Sequence, residues 1–128
     1  MRVLEASPTE IRAAVEAGGS VSSHQGINLP ESQVPLPAAG EEDLTWVDFA
    51  CENGVDLLAV SFVRSAADLV PVEERLRERG ADIPLIAKIE KPQAADNAEE
   101  IVEACHSGIM VARGDLGSEI PIAQVPVL

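Results

Sequence analysis

Apolar residues along the chain follow two patterns, which change near residue 40. Before it, short runs such as Arg2-Val3-Leu4-Glu5 and Ile11-Arg12-Ala13-Ala14 are split by Ser7-Pro8 and Gly18-Gly19. That texture predicts brief β-strands with turns between them. Residues 11–16 also fit a helical turn, and propensity does not choose between the two. Gly26-Ile27-Asn28-Leu29-Pro30 comes next, followed by Pro35 and Pro37. Prolines at this density remove backbone donors and predict an extended connector.

After residue 40 the pattern is helical and strand-like by turns. Glu41-Glu42-Asp43 places acids where a helix N-terminus favours them. Leu44, Val47 and Cys51 continue at helical spacing, and Gly54 stands where a C-terminal cap belongs. Val55 to Val63 is an almost unbroken apolar run, as in a strand covered on both faces. Ser65-Ala66-Ala67-Asp68 resembles a capping box opening a second helix through Leu69, Val72 and Leu76 to Gly80. Pro71, in its early turns, is expected to remove a hydrogen bond and bend it. Residues 83–87 predict a second strand, 93–104 a third helix with Ala94, Ala98, Ile101 and Val102 on one stripe, and 108–112 a third strand.

Helix and strand therefore alternate three times, which implies an α/β fold of parallel strands joined by right-handed crossovers. Three strands make either an open sheet or an arc of a barrel. Composition agrees: of 128 residues, 46% are hydrophobic and 24% charged, and the aromatics are Trp46, Phe49 and Phe62 alone. The core is expected to be aliphatic. A net charge of −13 disfavours nucleic acid and anionic membranes as partners. No apolar run approaches the roughly 18 residues of a membrane span. The N-terminus lacks the apolar stretch of a secretory signal, so a cytoplasmic protein is expected. Cys51 and Cys105 fall in helical patterns and read as small packed residues, not disulfide partners.

Each predicted strand runs out into polar residues at its carboxyl end: Ser61-Phe62-Val63-Arg64, Lys88-Ile89-Glu90-Lys91, and Arg113-Gly114-Asp115. Parallel α/β folds build their sites there. Lys88 and Glu90, two apart on a strand, project to one face. An ammonium beside a carboxylate suits a site that binds a divalent metal and an anionic substrate together. Asp115 is a second candidate oxygen ligand, and Gly114 allows backbone N–H groups to approach an anion. Charged strand ends and a Gly-Asp turn are the plainer readings of the same residues. His24 and His106 stand alone without metal-ligand spacing. No Gly-rich nucleotide loop is present.

Ile86-Ala87-Lys88-Ile89-Glu90-Lys91-Pro92 together with 108–117, Gly-Ile-Met-Val-Ala-Arg-Gly-Asp-Leu-Gly, resembles the pyruvate kinase signature. Residues 26–30 and 59–65 are similar to other segments of that family, in the same order. The resemblance implies a partial (β/α)₈ TIM barrel over 26–128, holding the fourth to sixth strands. It makes 1–25 the end of a small β domain inserted in that barrel. It implies phosphoryl transfer from phosphoenolpyruvate to ADP, giving pyruvate and ATP, with Mg2+ (or Mn2+) and K+. On this basis Lys88 is catalytic, stabilising charge on the moving phosphoryl group, and Glu90 and Asp115 hold the metal. Gly114, Asp115 and Lys88 meet the substrate, and Ser61 lies near the monovalent cation. Family members are homotetramers, and self-association of this chain is expected from its exposed strand edges. The chain departs from the family at Gln25, where lysine is usual. It also departs at Cys105-His106-Ser107-Gly108, which lengthens the Glu90-to-Asp115 spacing by one residue. A barrel needs about 250 residues, so the chain alone is expected to be inactive. Two other classes remain open: a short non-catalytic protein that pairs through its edges, and another Mg2+-dependent barrel enzyme acting on pyruvate or phosphoenolpyruvate.

Overall fold

The computed structural model describes residues 1–27, 36–105 and 107–127. The connector expected around Pro30 and Pro35, and His106, lie outside them. The N-terminal segment is a two-stranded antiparallel hairpin, β1 (Arg2–Ala6) with β2 (Ile11–Ala14), in a register running from Arg2 opposite Ala14 to Ala6 opposite Ile11. Pairing across the strands decides between the two local readings of Ile11, in favour of the strand. Ser7 closes the turn, its hydroxyl accepting from the Glu10 amide at 3.0 Å. The hairpin is exposed along its length except for half-buried Ala14.

The remainder is α/β. Helix α1 (Glu41–Asn53) precedes β3 (Leu58–Val63), a 3₁₀ turn (Ala66–Asp68) and α2 (Val70–Glu78). Then come β4 (Leu85–Ile89), α3 (Pro92–Asp96), α4 (Ala98–Ala104), β5 (Ile109–Val111) and α5 (Arg113–Glu119). The three later strands form one parallel sheet in the order β3-β4-β5. Among the described residues nothing pairs with the outer edge of β3 or of β5. An α/β arc with both edges open is the result, consistent with part of a barrel.

Local chemistry starts and stops the helices as the sequence suggests in most places. Asp43 accepts from the Gly40 amide at 2.8 Å and begins α1. Gly54 ends it at φ 62°, a left-handed conformation that costs a residue with a Cβ about 1 kcal/mol. Asp48 on α1 accepts from Arg79 (Nη2, 2.6 Å) beyond α2 and so pins the two helices together. The Arg79 hydrogen bond holds the Asp48 carboxyl below its usual range.

Four expectations change. Pro71 sits at the start of α2, where no intrahelical donor is needed, so it opens the helix instead of bending it. The preceding residues form a separate 3₁₀ turn. The single helix expected over 93–104 is two, broken at Asn97, whose side-chain amide donates to the Arg64 carbonyl at 2.8 Å. Arg113–Glu119, which opens with the residues read as a strand end or a Gly-Asp turn, is a helical segment. Lastly, the sheet is covered on one face only. In β4, Leu85, Ala87 and Ile89 are buried with Val63, Leu69 and Ile101 beneath the helices, whereas Ile86 and Lys88 are half-buried. All three residues of β5 are exposed.

Candidate active site at the carboxyl ends of the strands

Strand β3 does not end smoothly. Its register with β4 shifts between Val60 and Val63, and Phe62 adopts a φ of 57°. That conformation is unfavourable for a bulky L-residue and marks local strain of about 1–3 kcal/mol. The shift is a bulge, which turns the Phe62 amide toward β4 and leaves the ring more than half exposed. The amide donates to Oε2 of Glu90 at 2.9 Å.

Glu90 immediately follows β4 and is buried, 3% exposed. Its other oxygen, Oε1, lies 2.5 Å from the Lys88 ammonium. Lys88 also donates to the Ser61 hydroxyl at 2.9 Å. The two-residue spacing thus puts Lys88 and Glu90 on one face, as strand geometry requires. Ser61, Phe62, Lys88 and Glu90 form one cluster across β3 and β4. A buried carboxylate is tolerated only when paired and hydrogen-bonded, and here both oxygens have a donor.

Arg64 and Asp68 flank the cluster. Asp68 accepts from the Arg64 amide (2.8 Å), Arg64 Nε (3.2 Å), Arg64 Nη2 (2.8 Å) and the Ser65 amide (3.3 Å). Burial pushes the Asp68 carboxyl up, but hydrogen bonds from Arg64 and Ser65 together outweigh it, so Asp68 ionises below its usual range. The Asp68 hydrogen bond raises the Arg64 guanidinium in turn. The chain after β3 is fixed from a second side by Glu100, which accepts from the Ala66 amide at 3.1 Å.

Gly114 and Asp115 are both exposed, in the first turn of α5. Among the described residues no hydrogen bond or ion pair joins the Asp115 carboxylate to Lys88 or Glu90. The strand before them is in place: β5 pairs with β4 without a register shift, and the Ala112 amide donates to the Ile89 carbonyl at 3.0 Å. Ahead of β5, the Gly108 amide donates to the Cys105 carbonyl at 3.0 Å, and Gly108 adopts a φ of 123°. A link that sequence reasoning missed joins this region to β4. Lys91 meets Oε1 of Glu119 at 2.5 Å, with the Glu119 side chain only 5% exposed. No local signal predicts it, since the partners lie far apart in sequence.

The donor set can be judged for a hard divalent cation. Glu90 and Asp115 supply carboxylate oxygens, the ligand type magnesium and manganese take. Oε2 of Glu90 is held by the Phe62 amide, and Oε1 faces the Lys88 ammonium. Among the described residues no group of three or more His, Cys, Asp or Glu converges. One or two carboxylates suit a cation whose remaining ligands are substrate oxygens. Beside β3 a cavity of about 440 Å³ opens, lined by Trp46, Val47, Val60, Ser61 and Phe62 among others.

The whole chain, residues 1–128, matches the family described as "Pyruvate kinase, barrel domain". It belongs to that family. The chain is 43% identical to the pyruvate kinase of Thermococcus litoralis over 128 residues, covering 100% of this chain and 27% of that protein. It is 49% identical to the pyruvate kinase of Mycobacterium intracellulare over 119 residues, 93% of this chain and 25% of the relative. Pyruvate kinase 2 of Candida glabrata is 50% identical over 107 residues, 84% of this chain and 21% of the relative. The chain thus spans about a quarter of the length of the pyruvate kinases it matches. No described helix is long and apolar enough to cross a membrane.

Proposed function

We propose that this chain is the middle of a pyruvate kinase catalytic barrel, contributing to the transfer of a phosphoryl group from phosphoenolpyruvate to ADP. One observation carries the reading. The Lys88 ammonium is suspended between the Ser61 hydroxyl and the buried Glu90 carboxylate at the strand ends. Phosphoryl transfer asks little covalent chemistry of a protein; it asks for positioned charge.

In this reading Lys88 meets negative charge on the phosphoryl group, and its reach is set by Ser61. The Phe62 amide fixes the orientation of Glu90. Glu90 and Asp115 would hold Mg2+ or Mn2+. When bound, the cation neutralises charge on substrate oxygens. The Gly114 and Asp115 backbone would face the substrate carboxylate. Potassium is different: Ser61 offers a single hydroxyl oxygen, which accepts from Lys88. In this reading Ser61 would lie near the monovalent cation K+. The exposed β1–β2 hairpin, ahead of the sheet in sequence, is read as the end of an inserted β domain, with the barrel segment following from residue 26.

The test is a chimaera. The matching segment of the Thermococcus litoralis enzyme is replaced by these 128 residues, and pyruvate formation is followed in a coupled assay. An active chimaera that loses about 10²–10³-fold in turnover on Lys88→Met or Glu90→Gln is expected. A folded, active chimaera indifferent to both changes would overturn the assignment.

A second reading has one observation behind it: the unpaired edges of β3 and β5 and the exposed Ile109, Met110 and Val111. Exposed strand edges invite pairing with another chain. Sedimentation of the 128-residue chain tests this alternative, which requires a stable, concentration-dependent oligomer and is opposed by a monomer.

A further inference from the structure

Helix α5 is poorly equipped to hold itself in place. It has seven residues, two of them Gly114 and Gly117. A helix this short is not stable in isolation, and each internal glycine weakens it further. Leu116 is its one fully buried residue, and Ile120, just past its end, packs partly against the same core. Apolar contacts this few hold a short helix only loosely in orientation. The second point of attachment is at its far end, where Glu119 pairs with Lys91 at 2.5 Å. Lys91 directly follows Glu90. The pair therefore ties the end of β4 to the helix that carries Gly114 and Asp115. The buried Glu119 carboxylate has strong reason to keep the contact, because an unpaired charge at that depth is costly.

We propose that Lys91 and Glu119 are positioning residues, whose ion pair locks α5 to the end of β4 and so fixes Asp115 relative to Glu90. What those two carboxylates then do rests on the function proposed above; the lock itself does not. Lys91 and Glu119 pair with each other, while Lys88 and Glu90 pair in the cluster, so their effect is exerted through the backbone segments they join.

Hydrogen–deuterium exchange on the chain tests this without metal or substrate, and so separates it from any failure of the phosphoryl-transfer reading. The reporters are the Leu116 and Ile120 amides, which donate to Ala112 and Leu116 at 3.0 and 2.9 Å. Lys91→Met with Glu119→Gln removes both charges together, so no buried charge is stranded and the fold is retained. In this double variant the two amides should exchange at least tenfold faster, while the Ala87 amide within the sheet keeps its protection. Lys91→Arg preserves the pair and should exchange like the parent chain. Unchanged exchange at Leu116 and Ile120 in the double variant would overturn the proposal. So would acceleration of Ala87 in step with them, or loss of protection in Lys91→Arg equal to that of the double variant.

Discussion

The amide of Phe62 donates to Oε2 of Glu90 from a backbone held at φ 57°. The donor is delivered by a bulge in β3, and the acceptor is the most buried charged group at the strand ends. Strain on one strand thus satisfies a carboxylate on the next. Strain of this kind persists only where its surroundings over-determine it.

Phe62 should consequently respond to backbone chemistry more than to loss of its exposed ring. Phe62→Gly keeps the donor and relieves the strain, which offsets glycine's entropic cost, so stability should stay within about 1 kcal/mol. Phe62→Pro cannot reach this φ and has no donor, and should lose about 3 kcal/mol or more. Urea unfolding compares them; equal losses would sink the account.

The pair of Lys88 and Glu90 should be asymmetric. Lys88→Met strands a carboxylate that is 3% exposed, and should cost about 2–3 kcal/mol. Glu90→Gln leaves an ammonium that is 24% exposed and still bound to Ser61, and should cost about 1 kcal/mol. The double variant should be more stable than Lys88→Met alone. Additive losses in chemical denaturation would show that the two groups do not interact.

Asp68 makes the fold sensitive to acid. Its folded-state pKa lies below the unfolded value, so its contribution is fully present above the ordinary carboxylate range near 4. It is lost as pH falls through the lower, folded value. The stability difference between the parent chain and Asp68→Asn should therefore be constant above about pH 5 and shrink below about pH 4. A difference that holds steady down to pH 2 contradicts this.

Gly54 meets nothing within 4 Å of where a Cβ would sit, so only its backbone conformation is at stake. Gly54→Ala should cost about 1 kcal/mol. Thermal unfolding at unchanged cooperativity is the check, and an unaltered midpoint would mean that α1 ends without needing the left-handed turn.

Local rules made much of this legible. The acids Glu41–Asp43 opening α1, the cap at Gly54, the three alternations of helix and strand and the common face of Lys88 and Glu90 all follow from periodicity and cap chemistry within a few residues. What escaped depends on distance in the chain. Asn97 breaks a helical stripe because its amide serves the Arg64 carbonyl, more than thirty residues earlier. Lys91–Glu119 and Phe62–Glu90 are contacts of the same non-local kind. The helix over Arg113–Glu119 was hidden by its two glycines, whose weak propensity is overridden by the burial of Leu116. The apolar run of β3 calls for cover on both faces, and the described residues supply it on one; the residues of β5 are exposed throughout.

The order β3-β4-β5 has a kinetic meaning as well. Each strand pairs with its immediate successor, Leu58 with Leu85 and Ala87 with Ile109, so every pairing closes only a single crossover. Each crossover must close before its strand contacts reward it, which makes parallel pairing of this kind slow. Once β4 is in place, both of its neighbours add to an edge it already presents, so the central strand sets the register of the whole sheet.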